Sequence, residues 1–141
     1  MANIVPFAFK GELASGTHNF SSSGNTFKIA LYTANPYTTS STVKVATSEV
    51  SSAGGSNYTA GGNTLTGQSV TATTATTAID FADTSWASAT FTAAFAAIYN
   101  TSSSDKLVVV LDFGGDKTAT NGTFTISFPD PSTPSLSLIH I

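Results

Sequence analysis

The chain has 141 residues, a net charge of −3 and no cysteine, and only 9% of it is charged, with Ser, Thr, Asn and Gly filling the polar positions. That length predicts one domain able to bury a core without staples, and zero Cys excludes disulfide scaffolds, Cys-based zinc sites and thiol nucleophiles. The acidic balance, with Lys10, Lys28, Lys44, Lys106 and Lys117 dispersed along the chain, excludes the basic stripe that nucleic-acid phosphates require.

Met1-Ala2-Asn3-Ile4-Val5-Pro6-Phe7 has no basic segment leading into a long apolar one, so synthesis in a cytoplasm without a Sec-type signal is expected. No apolar run approaches the ~20 residues of a membrane-spanning helix, and no membrane partner is expected.

The patterning has period two and almost no helical period. Ile4–Leu13 reads as a first strand, broken near Pro6 in the manner of an edge strand. Ser21–Asn25 is turn chemistry, and Thr26–Thr33 then alternates as a half-buried strand with Phe27, Ile29 and Leu31 on one face. After Asn35-Pro36, Thr42–Ala46 is weakly extended. Ser51–Gly62 is a Gly/Ser/Asn-rich loop containing Tyr58, and Thr64–Ala72 resumes as a strand. Thr73–Thr77 reads as strand or wide hairpin, since Thr is a good strand former and Ile79-Asp80-Phe81 continues it.

Ala89–Tyr99 is ambiguous because Ala is the best helix former, but alternation favours a strand with Phe91, Ala93, Phe95, Ala97 and Tyr99 on one face. Asn100–Asp105 is a hairpin loop, and Leu107–Phe113 a strand buried on both faces. Gly114–Lys117 and Asn121-Gly122 bracket another connection before a last strand, Thr123–Phe128. The expected architecture is all-β: one antiparallel β-sandwich of about eight strands, jelly-roll or immunoglobulin-like, over residues 1–135.

The last six residues, Leu136-Ser137-Leu138-Ile139-His140-Ile141, equal the translation of a transposon-end sequencing adaptor. The expectation is read-through in place of a native terminus that would form a final strand, so His140 carries no functional argument.

Reactive chemistry is sparse. His18 is then the one candidate base, without a Gly-x-Ser-x-Gly elbow, and its neighbours predict a solvated loop or strand-end histidine, out of hydrogen-bond reach of a Ser and a carboxylate together. The carboxylate pairs Asp80/Asp83 and Asp112/Asp116 match no acid/base signature and read as turn-makers. A calcium site from Asp112, Asp116 and loop carbonyls competes with a β-turn in which Gly114-Gly115 supplies positive φ and Asp side chains satisfy backbone donors. Asp112-Phe113-Gly114 lacks the other kinase motifs, and Gly54-Gly55 and Gly61-Gly62 lack the helix that a phosphate cradle needs. Asn19, Asn57, Asn100 and Asn121 stand in sequons that matter only on a eukaryotic secretory route. Trp86, Tyr32, Tyr37, Tyr58 and Tyr99 are either a sugar-stacking surface or, the favoured reading, core and core-capping residues. No catalytic, metal or cofactor residue is assigned.

An ordered series of motifs carries a resemblance. Phe27-Lys28-Ile29-Ala30-Leu31-Tyr32-Thr33, Tyr58-Thr59-Ala60-Gly61-Gly62-Asn63-Thr64-Leu65-Thr66-Gly67, Ile79-Asp80-Phe81-Ala82-Asp83-Thr84-Ser85-Trp86 and Ala89-Thr90-Phe91-Thr92-Ala93 are followed by Ala97-Ile98-Tyr99-Asn100, Val109-Val110-Leu111-Asp112-Phe113-Gly114, Asp116-Lys117-Thr118 and Asn121-Gly122-Thr123-Phe124. Together they resemble a family of small virion-associated structural proteins encoded by tailed bacteriophages. The family's closing strand is where the suspected adaptor stands. The resemblance implies a non-enzymatic virion protein, a capsid decoration (cement) protein in the leading reading, with other virion proteins and further copies of itself as partners. A tail or tail-tip component is the alternative within the particle, and a host-surface or carbohydrate-binding module the alternative from another class.

Overall fold

A computed structural model of the chain describes residues 3–128 and the short strand Ile139–His140. It is a mostly β, antiparallel structure. The elements are α1 (Phe7–Ala14), β1 (Phe27–Tyr32), β2 (Asn63–Thr64), β3 (Ser69–Ala72), β4 (Thr77–Asp80), β5 (Thr84–Asn100), a 3₁₀ turn (Thr101–Ser103), β6 (Lys106–Ile126) and β7 (Ile139–His140). One sheet has the order β2-β1-β5-β6 and a second the order β3-β4-β7. None of the helices described is long and apolar enough to cross a membrane.

The expected strand over Ile4–Leu13 is instead a one-residue bridge, Ile4 to Val110, followed by α1. Pro6 holds an extended φ of −60° and ψ of 145° and caps the helix start, where its missing N–H costs nothing. An eight-residue helix is marginal by itself, so tertiary contacts fix it: Phe9 is buried, and Phe7 N–H donates to the Thr39 carbonyl. At its end, Gly16 takes φ +79°, Gly16 N–H donates to Leu13 O and Thr17 N–H to Glu12 O. This is a Schellman stop, and it turns the chain back over its own last turn.

β1 is buried on both faces, not half-buried as its alternation predicted. Phe27, Ile29 and Leu31 enter the main core with Phe9, Phe20, Leu65, Ile79, Phe81 and Trp86. Ala30 and Tyr32 enter a second core with Tyr37, Ala97, Tyr99, Leu107 and Val110, covered by Ile4 and Val45. The long loop after β1 supplies Tyr37 and Val45 and the segment before α1 supplies Ile4, and Thr42–Ala46 makes one backbone bridge to the sheet, Val43 to Lys106.

The strand expected over Thr64–Ala72 is split into β2 and β3, with Gly67 at φ +63° between them. β3 and β4 form the hairpin expected around Thr73–Thr77, closed by Thr73 N–H to the Thr76 carbonyl at 2.8 Å. Gly114–Lys117 does not connect two strands: β6 runs through it, and four residues, Phe113–Asp116, stand opposite Ala94 alone between the pairs Phe95–Asp112 and Ala93–Lys117. Gly114 and Gly115 do take positive φ there, and Asp112 Oδ1 accepts from Gly114 N–H at 2.8 Å.

β5 does not keep one set of alternate residues on one face as expected. A bulge between Ala93 and Phe95 flips the strand, so Phe91 and Ala93 join Ala96 and Ile98 in the main core while Phe95, Ala97 and Tyr99 face the second core. An extra residue in a ladder exchanges the faces of everything beyond it.

Of the closing segment, Leu136–Leu138 and Ile141 lie outside the described residues, as do residues 129–135 of the expected domain; β7 pairs with β4, Ile79 to Ile139 and Ala78 to His140.

Candidate functional site

The densest polar chemistry lies where α1 meets the β5–β6 hairpin. The Gly16 turn brings His18 back onto the helix, and its Nε2 stands 3.0 Å from Glu12 Oε2. The other Glu12 oxygen accepts from Lys106 Nζ, at the first residue of β6, at 2.8 Å. On the far side of the ring, Nδ1 lies 3.0 Å from Nδ2 of Asn100, the last residue of β5. Nδ2 also donates to Asn25 Oδ1 at 2.9 Å, and that oxygen accepts the Asn19 N–H.

Hydrogen-bond direction fixes the protons. Asn100 Oδ1 accepts Ser102 N–H, capping the 3₁₀ turn, so Nδ2 must face His18. His18 Nδ1 is therefore the acceptor, and the ring proton sits on Nε2 and is donated to Glu12. Burial works to raise the Glu12 carboxyl, but hydrogen bonds from Lys106 and His18 outweigh it and leave the group below its ordinary value.

His18 is thus not the solvated residue expected; its side chain is fully buried, packed on Phe9 at a centroid distance of 5.2 Å. It has a carboxylate partner, yet both ring nitrogens are committed, and a general base needs a nitrogen within reach of a nucleophile. What this arrangement does chemically is tie helix, loop and hairpin together. Beside it runs a cleft of about 580 Å³ whose walls are mostly apolar, lined by Leu13, His18, Phe20, Val70, Thr77 and Ile79 among others.

A second knot centres on Glu49, which accepts from Lys44 Nζ at 2.6 Å, Tyr58 OH at 2.8 Å and Gly61 N–H at 2.5 Å. Tyr58 OH in turn accepts Leu31 N–H, and Tyr99 OH donates to the Gly61 carbonyl at 2.6 Å. Burial opposes ionisation of Glu49, and its donors reverse that, so this carboxyl too lies below its ordinary value. Burial pushes the Tyr58 phenol well up and the Tyr99 phenol up to about 12. Gly61-Gly62 is the turn that closes the knot. A Cβ at Gly62 would collide with the Ile29 carbonyl, so the motif works by letting two backbones touch.

The aromatic residues proposed for sugar stacking are all interior. Tyr32, Tyr37, Tyr58, Trp86 and Tyr99 expose 0, 5, 3, 4 and 3% of their surfaces, so none of these five rings presents a face to a ligand. The Tyr32 and Tyr37 hydroxyls bond to each other at 2.7 Å, and Tyr32 OH also donates to the Val45 carbonyl.

Asp80 ends β4, Asp83 Oδ1 accepts Phe128 N–H at 2.8 Å, and Asp116 is exposed. Among the described residues no three His, Asp or Glu side chains converge to hold a metal ion. The residues that sequence reasoning missed are Glu12, Asn25, Glu49 and Asn100. Asn100 stood in a sequon but is wholly buried, and its signal was position: an Asn ending a strand before Thr-Ser-Ser-Ser is a cap. Comparison with protein-family models, curated proteins and solved structures finds no match.

Proposed function

We propose that this chain is a structural protein of a tailed-bacteriophage particle, and within the particle a decoration protein that sits on the capsid shell and stabilises it. The observation carrying this reading is the destination of the reactive side chains. His18, Glu12, Glu49 and the aromatic residues named for ligand stacking are spent on internal contacts, so the exterior offers Thr and Ser hydroxyls, backbone and shape. Contacts of that kind suit a permanent protein neighbour better than a reactive or charged ligand. The motif series from Phe27 to Phe124 supports the same assignment. We infer further that the two sheets stack as a sandwich, because Ile79 of β4 shares one core with Phe27, Ile29 and Leu31 of β1.

The test is the protein's copy number in purified particles. Abundance that scales with shell area is the expected result, together with rebinding of the purified protein to shells stripped of it. A few copies confined to the tail would transfer the protein there, and its absence from particles would overturn the virion reading altogether. The carbohydrate-binding alternative predicts glycan-dependent quenching of Trp86 fluorescence, which a buried indole does not give.

A further inference from the structure

The outer edge of β6 is covered along its first half only. Leu107 N–H donates to the Thr42 carbonyl, Val110 exchanges two backbone bonds with Ile4, and Asp112 N–H donates to Asn3 Oδ1. From Thr118 to Ile126 the strand pairs with β5 on one side and is the end of its sheet, and among the described residues no other backbone hydrogen-bonds to its outer side. Unpaired backbone donors and acceptors of this kind are a template for another strand.

Folded proteins usually blunt such an edge with proline, charge or a β-bulge. Thr118–Ile126 contains no proline and no charge. Asp116 and Lys117 stand just before it, and its ladder with β5 is irregular at two places, Thr120–Asn121 opposite Thr90, where Asn121 takes φ +47°, and Thr123 opposite Ala87–Ser88. Its exposed side chains are Thr118, Thr120, Asn121, Thr123 and Thr125, while Ala119, Phe124 and Ile126 point into the core. The adjoining β5 carries no charged residue along its whole length.

We propose that this edge is an interaction surface for a second copy of the chain, joined antiparallel, edge to edge, about a two-fold axis. Charge selects the occupant. A chain of net charge −3 repels its copy in general, but this stretch is neutral, so two copies meet there without bringing like charges together and a charged partner gains nothing from it. Antiparallel pairing of one strand with itself is also isologous, so the same surface serves both copies and the contact closes. Area sets the strength. An edge about 30 Å long buries well under the ~800 Å² per partner of a standard interface, so the dimer dissociates in the micromolar to millimolar range. The pairing stands independently of the virion role.

Sedimentation equilibrium across that concentration range tests it, using the wild type, Thr123→Lys, Thr125→Lys and the neutral control Thr123→Val. The expected result is a concentration-dependent dimer for the wild type and Thr123→Val. Each lysine variant should show a dissociation constant raised at least ~10-fold with an unchanged circular dichroism spectrum, because the two-fold pairing then brings two like charges onto one short neutral edge. Hydrogen exchange should show amides in 118–126 gaining protection as concentration rises. A wild type that stays monomeric throughout, lysine variants that dimerise equally well, or protection gained elsewhere would each overturn the proposal. So would a monomer whose edge becomes protected only on phage shells, which would give the edge to a shell protein.

Discussion

Asn100 Nδ2 donates to His18 Nδ1 at 3.0 Å across 82 positions of sequence, and this one bond decides which protons the buried ring carries. Asn100→Ala removes the partner of Ser102 N–H and of His18 Nδ1, and one of the two donors to Asn25 Oδ1. Leaving buried polar groups unmade costs about 1–3 kcal/mol each, with partial relaxation, so the expected loss is about 3 kcal/mol by urea denaturation. Asn100→Asp separates geometry from packing. Its carboxylate presents an acceptor to His18 Nδ1 where the amide presented a donor, so it should lower stability at neutral pH although its shape matches that of Asn. A variant as stable as wild type would contradict the assigned proton positions.

Acid should unfold the wild type through Glu12 and Glu49. Both carboxyls lie below the ordinary value of 4.5 in the folded chain, so the unfolded chain binds protons first as pH falls. Their stabilisation is therefore complete above about pH 4.5 and is lost as pH drops through the lower folded values. Thermal melts from neutral pH down to pH 3 should show the midpoint falling, and Glu12→Gln and Glu49→Gln should each flatten that dependence while lowering stability at neutral pH. A variant with the wild-type slope would remove its carboxylate from the account.

What was legible in the sequence follows from what periodicity records. Phe27, Ile29 and Leu31 alternate, and β1 stands where they put it; the Thr73–Thr77 turn and the Asn100–Asp105 loop were equally visible. Periodicity fails where the ladder is irregular, and no local signal marks the bulge after Ala93 that exchanges the faces of Phe95, Ala97 and Tyr99. Phe7-Ala8-Phe9 alternates like a strand, but Pro6 before it and Gly16 after it mark a helix start and stop. The His18 cluster was hidden because its members come from four parts of the chain, and only the Schellman turn makes Glu12 and His18 neighbours.

Gly62 and Gly61 should differ sharply although both have positive φ, +78° and +92°. A methyl group at Gly61 meets Lys28 Nζ and Tyr99 OH at 3.3 Å, side-chain ends that can yield, whereas at Gly62 it meets the backbone of Ile29. Gly61→Ala should cost about 1–2 kcal/mol, the price of a left-handed conformation for an L-residue. Gly62→Ala must also push the loop off β1 and break the Glu49 knot, so its expected cost is above ~3 kcal/mol. Denaturation midpoints for the two variants check the order, and equal losses would place the strain in φ alone.

Tyr32 and Tyr58 set the alkaline limit. Burial raises both phenols far above their ordinary 10.0, and Tyr58 is held further up by donating to the Glu49 carboxylate. A raised folded value means that the unfolded chain loses these protons first, so their stabilisation is full below about pH 10 and is lost as pH climbs beyond it. Tyrosinate absorbance should therefore rise late and together with exposure of Trp86, reported by a red shift of its fluorescence, because the indole packs on Tyr58 with centroids 6.1 Å apart. Tyr58→Phe removes the phenol and also leaves Leu31 N–H without its acceptor, so it should lower stability at neutral pH while making its alkaline loss less steep. Tyrosinate formation well before the fluorescence shift would mean that these phenols ionise in the folded chain, and would refute their burial as the cause.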